Sequence, residues 1–170
     1  MKKTLFLSFI VLALAVVMSS CAVNLSGVTA NYNRMNNYYI NNHFPNGTHK
    51  LVIHNQQDFE NVFGAGAVMG RNGQPTRIDF SKQFVVAVIL PETNRQTTIE
   101  TALVRRVRDR LYFSYIIDEG HATSYTIRPY TAVVVDRMEP SDVVFQRVTR
   151  EDLNSAGIQY SGPSTPRPPL

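Results

Sequence analysis

Hydrophobic positions along this chain fall into blocks of different period. Leu5 to Met18 is apolar except for Ser8. Lys50 to His54 is a short apolar run of strand length, and Asn55 then stands where a helix N-cap would, with Asp58 in the first turn and Phe59, Val62 and Phe63 on one helical face. That pattern predicts a helix of about two turns ending at Gly64. Gly64, Gly66, Gly70 and Gly73 make the next stretch a loop; a dinucleotide-binding loop would need its glycines between a strand and a helix, and here the helix comes first. Phe84 to Leu90 is continuously apolar, as in a central strand buried on both faces. Thr97 to Val107 alternates, with Ile99, Leu103 and Val107 on one face and Glu100, Arg106 and Arg108 on the other.

After a tight connection at Asp109-Arg110, the residues Leu111, Phe113, Tyr115 and Ile117 continue the apolar face. Asp118-Glu119-Gly120-His121 reads as a loop. Tyr125 to Val135 is a further strand region, with Pro129 marking an edge or bulge. Val143 to Val148 is a final strand, and a turn of helix starts near Glu151. Connections this short favour antiparallel pairing over parallel crossovers. The fold class expected is therefore mainly β with one short helix, as a small antiparallel barrel or a strongly curved meander sheet.

The first apolar block changes the picture most. Its 14 residues follow Lys2 and Lys3 and precede Ser19 and Ser20. A membrane-spanning helix needs about 20 apolar residues. A basic start, a shorter apolar stretch and small residues are the signature of a secretory signal. Directly after the two serines stands Cys21, the only cysteine in the chain. The arrangement resembles the lipobox of bacterial lipoproteins, in which a lipid-modified cysteine becomes the first residue of the mature protein; three positions before it, where that pattern has leucine or another aliphatic residue, stands Met18. The resemblance implies acyl chains on Cys21 and a membrane partner. Ala22 to Val28 carries no acidic cluster, which by analogy with lipoprotein sorting favours the outer membrane and its periplasmic face.

Four regions follow: a lipoprotein signal peptide over 1–20, an asparagine-rich tether over 21–48, a compact β-rich domain over 49–150 and a proline-rich tail over 151–170. Ala22 to Thr48 holds eight asparagines and several aromatics without a regular period, and Ser161 to Leu170 holds four of the nine prolines. The compact part is long enough to form a core without disulfides. One cysteine excludes an internal disulfide or a cysteine-based zinc cluster. The formal charge of the whole chain is +4, but loss of Lys2 and Lys3 takes 17 basic residues to 15 against 13 acidic, a net charge of +2. Nucleic acid is then a poor partner.

In order along the chain stand Leu51 to Phe63, Ile78-Asp79-Phe80-Ser81, Val85-Val86-Ala87-Val88, a long hairpin, and Arg128-Pro129-Tyr130 leading into Val133-Val134-Val135. That order of segments is similar to the C-terminal domain of the PrcB family, accessory lipoproteins associated with a bacterial surface protease complex. It covers roughly residues 50–137. Where that family commonly has a Gly-Tyr turn entering the hairpin, this chain has Arg95-Gln96-Thr97-Thr98. The resemblance implies a small β-rich binding domain with an exported protease as partner, and supplies no catalytic residues.

Candidate chemistry is sparse. There is no Gly-x-Ser-x-Gly nucleophile elbow, and Ser124 three residues after His121 is ordinary loop composition. His43, His49 and His54 lack the three- or four-residue spacing that gathers ligands on a helix. Asp118 and Glu119 read as solvated turn formers. No metal or cofactor is called for. Arg105, Arg106, Arg108 and Arg110 form the densest basic cluster, and arginine forks suit carboxylates and phosphates. Arg106, Arg108, Arg110 and Tyr112 are the candidate partner contacts, because tyrosine and arginine are enriched in binding hot spots. The function expected is a non-enzymatic, membrane-anchored lipoprotein whose β domain binds a protein partner as an accessory subunit of an exported protease. Alternatives are a protease inhibitor using Gly64–Gln74 or Asp118–Ser124 as its loop, and a cell-envelope hydrolase using His54, Asp118 and His121.

Overall fold

The computed structural model describes residues 23, 25–66 and 73–160. Cys21, the apolar block before it and the residues after Tyr160 lie outside the described residues.

Among the described residues ten strands and two helices follow in chain order: β1 (Val28–Thr29), β2 (Tyr32–Arg34), β3 (Tyr38–Ile40), β4 (His49–Ile53), α1 (Gln56–Val62), β5 (Phe63–Ala65), β6 (Gln83–Ile89), β7 (Thr93–Val107), β8 (Arg110–Ile127), β9 (Tyr130–Asp136), β10 (Val143–Arg147) and α2 (Arg150–Ser155). They build two four-stranded sheets, ordered β1-β7-β8-β10 and β2-β9-β6-β4, and a two-stranded ribbon of β3 and β5. The mainly β class is as expected. The sheets are open and not closed into a barrel. Every pairing is antiparallel except β10 on β8, which is parallel and reached by a crossover from β9.

The two sheets face each other across a core of Phe84, Val86, Val88, Ile99, Val104, Leu111, Phe113, Val133 and Val135. Strand β6 is buried on both faces, as its unbroken apolar run predicts. Its other face, Val85, Ala87 and Ile89, packs under Phe59 and Val62 of α1 and under Phe63 of β5. A third cluster covers the outer face of the first sheet, with Ala102, Ile116, Val148 and Leu153 overlaid by Val23, Leu25, Ile158 and Tyr160. From one side to the other the order is therefore α2 with Val23, Leu25, Ile158 and Tyr160, first sheet, second sheet, then α1 with the ribbon.

Local chemistry accounts for the short elements. Asn55 caps α1 by accepting from the Asp58 amide at 2.8 Å, as expected. Thr149 caps α2 in a reciprocal box with Asp152. Asp79 holds its turn by accepting from the Ser81 amide (3.0 Å) and hydroxyl (2.6 Å). Those bonds keep its carboxyl below the ordinary value.

Four expectations are corrected. The segment read as a tether carries β1, β2 and β3, and its aromatics are the reason: Tyr38 meets Phe59 edge-on at 5.1 Å. Asp118 to His121, read as a loop, lies within β8, an 18-residue strand. Gly64 begins the read loop yet pairs with Tyr39 in the ribbon; residues 67–72 of that loop lie outside the described residues. Pro129 separates two strands, its carbonyl accepting from the Leu90 amide at 2.9 Å.

A candidate partner-binding surface

Arg106, Arg108, Arg110 and Tyr112 sit around the β7–β8 turn, but the structure does not gather them on one face. A bulge decides this. Thr101 pairs with Tyr115 and Leu103 with Ser114, so Ala102 is an extra residue in β7. Ile99 therefore faces the inter-sheet core, whereas Leu103, of the same parity, packs on the outer cluster. Beyond the bulge Arg106 stands opposite Leu111, and Tyr112 stands opposite Arg105. Arg106 and Tyr112 consequently occupy opposite faces of the sheet.

The guanidinium groups are also largely engaged within the molecule. Arg106 Nη1 lies 3.5 Å from Glu139 Oε2, a carboxylate almost wholly buried. Arg110 Nε donates to Asp142 Oδ2 at 2.9 Å. Arg105 Nη1 donates to the Leu25 carbonyl at 2.8 Å, fastening the N-terminal segment to the sheet. Arg108 alone of the cluster is fully at the surface with no ion pair among the described residues. It occupies the turn with φ of 56°.

The histidines are dispersed. His49 Nε2 sits 2.9 Å from the Pro45 carbonyl, His54 lies against Phe84, and His43 and His121 are exposed. No group of three or more metal-ligating side chains forms among the described residues. Asp118 makes a two-pronged pair with Arg150, both contacts 2.7 Å. The Arg150 hydrogen bonds hold its carboxyl below the ordinary range. His54 follows the end of β4, whereas Glu119, next to Asp118, lines a recess beside Thr48 and Lys50 at the start of that strand. His54, Asp118 and His121 thus do not converge on a common mouth.

Another part of the β7–β8 hairpin emerges instead. β10 supports β8 only up to Tyr115, and β1 touches β7 only at Arg105 and Arg106. Beyond Asp118 the hairpin continues as a two-stranded arm, Thr93–Gln96 against Glu119–Ile127, with irregular register at Arg95. Arg95 Nη2 donates to the Gly120 carbonyl at 2.7 Å, and its Nε lies 3.9 Å from Glu119. Tyr125 on this arm is 58% exposed. At its base opens the recess, about 460 Å³, lined among others by Lys50, Arg147, Glu92, Glu119, Leu90 and Ile117. Sequence reading reached part of this surface, Asp118–Ser124, only as a candidate inhibitor loop, and passed over Arg95 and Tyr125 because the residues around them look like turn composition.

Arg128-Pro129-Tyr130 has a packing explanation. Arg128 donates to the carbonyls of Phe44 and Pro45 and lies over the Phe44 ring. Tyr130 donates its hydroxyl proton to the Tyr38 carbonyl at 2.6 Å.

Comparison of the chain with protein-family models, with curated proteins and with solved structures finds no match in any of the three.

Proposed function

We propose that the protein is a non-enzymatic lipoprotein, held at the bacterial outer membrane by acyl chains on Cys21, whose β domain binds a protein partner. The likeness of residues 50–137 to the PrcB family makes that partner an exported protease, with this chain as accessory subunit.

The observation that carries the reading is the β7–β8 arm. It carries the exposed Tyr125 and Arg95, and its Thr93 and Glu119 line a recess together with Leu90, Ile117, Lys50 and Arg147. Tyrosine and arginine are the residue types that dominate binding hot spots. The side chains a hydrolase would need, His54, Asp118 and His121, are held apart. The space between the sheets is filled, with Phe113 and Leu111 fully buried. Anchoring would raise the effective concentration of the partner near the membrane.

The test is affinity capture of exported proteases on the immobilised lipidated protein, followed by Tyr125→Ala and Arg95→Ala variants. Hot-spot truncation costs about 2 kcal/mol or more, roughly a thirtyfold loss of affinity. Retention at wild-type strength by both variants would remove the arm from the contact. Capture accompanied by loss of proteolysis in the purified pair would favour the inhibitor reading.

A further inference from the structure

The segment expected to lift the domain away from the membrane is part of the domain. Val23 and Leu25 pack against the cluster of Ala102, Ile116, Val148 and Leu153 on the outer face of the first sheet. Arg105 holds the carbonyls of Leu25 at 2.8 Å and Gly27 at 3.5 Å. At Gly27 the chain bends with φ of 104°, and a Cβ there would stand 2.4 Å from the Arg106 carbonyl oxygen. Only glycine fits this bend. The bend carries the chain from β1 back over the sheet, so the N-terminal segment is strapped down by apolar contact, two hydrogen bonds and a required glycine.

Chain length then fixes where the anchor is. Cys21 precedes Val23 by two residues, a reach of about 7 Å at full extension. A flexible tether of 27 residues would have given a mean span of roughly 29 Å. We infer that the lipid surface is the partner of the outer face of the first sheet: the domain sits directly on the bilayer with α2 and the strap residues Val23 and Leu25 toward the headgroups and α1 toward the solvent. The inference rests on acylation of Cys21.

Around the strap, α2 presents the uncharged Asn154 and Ser155 to solvent, with the one exposed carboxylate of Glu151 in its first turn. On that helix and its cap Arg150 is paired with Asp118 and Asp152 with Thr149. Packed layers are spaced about 10 Å apart, which places α1 about 30 Å farther from the headgroups than the strap.

Cys21 is the only cysteine in the sequence, so after acylation an introduced thiol is unique. Ser155→Cys on α2 and Gln57→Cys on α1 both lie at exposed positions. Each full-length lipidated variant, labelled with a bimane fluorophore, would be reconstituted into phosphatidylethanolamine–phosphatidylglycerol vesicles doped with nitroxide-headgroup lipid. The label at position 155 is expected to be quenched several-fold more strongly than the label at 57. Inserting a Gly-Ser linker of about 20 residues between Ala22 and Val23, with a mean span of about 25 Å, should bring position 155 down to the level of 57. Equal quenching at the two positions in the uninserted chain, or quenching at 155 that survives the insertion, overturns the seating. Vesicle flotation and the intact mass separate the two failures. A protein that floats with acyl mass but quenches evenly refutes the seating alone, whereas a protein without acyl mass refutes the anchor and the seating with it.

Discussion

Arg106 shows how one side chain acquires a structural task that Arg108, two residues on, lacks. Its guanidinium faces Glu139, whose Oε2 is buried and receives no hydrogen bond, while Glu139 Oε1 accepts from the Asn31 amide at 3.2 Å. Removing the cation strands a buried carboxylate, which costs about 1–3 kcal/mol. Arg106→Ala should therefore lower the thermal midpoint by several degrees, whereas Arg108→Ala, at an exposed turn, should leave it nearly unchanged. Differential scanning fluorimetry on the two variants checks this, and equal midpoints would reassign Arg106 to the free surface. Arginines two residues apart in the sequence thus differ in role because one faces a carboxylate from the β9–β10 connection and the other faces water.

Among the elements, the C-terminal segment after α2 is held by the packing of Ile158 on the outer cluster and by one phenol. Tyr160 donates to Glu100 Oε2 at 2.5 Å, and burial, reinforced by that carboxylate, pushes its pKa from 10 up to about 12. The folded protein keeps this proton where the unfolded chain has lost it. The resulting stabilisation is fully present below pH 10 and is lost as the pH rises from about 10 to 12. Tyr38, Tyr115 and Tyr130 are shifted the same way by burial. Denaturant midpoints across that window should fall with pH, and Tyr160→Phe should flatten part of the fall. A variant whose profile overlays the wild type would show that the segment is not held by this hydrogen bond. The strands carry a parallel lesson: β7 reads as a single alternating strand, yet the Ala102 bulge exchanges its faces midway, and alternation alone cannot reveal one inserted residue.

At the scale of the whole molecule, the compact unit begins well before His49. β2 pairs with β9 along Tyr32 to Arg34, Met35 is buried against the second sheet's outer face, and Ala30 is buried between the sheets. A chain truncated to begin at His49 would uncover an edge of both sheets and lose the ribbon partner of β5. It should unfold at a markedly lower denaturant concentration, or accumulate as aggregate, compared with a chain beginning at Val23. Comparable midpoints for the two would mean that residues 23–48 add nothing to the fold. On the other side, the long hairpin passes out of the four-stranded ladder, which leaves the arm exposed while the rest of the sheet is covered.

The amino-acid sequence by itself determined the mainly β class, the doubly buried strand at Phe84 to Ile89, the Asn55-capped helix and the short helix after Thr149. Each is encoded by neighbours: an unbroken apolar run, a cap with its first turn, a periodic face. What only the tertiary structure decided were relations between distant residues. These include the pairing of β2 with β9, the parallel docking of β10, and the division of the arginine cluster between the two faces of one sheet. They include also the folding of the asparagine-rich segment into strands. Asparagine and glycine disfavour strands in isolation, so that segment reads as open chain, and it is ordered by contacts with β5, β7 and β9 that lie far away along the sequence.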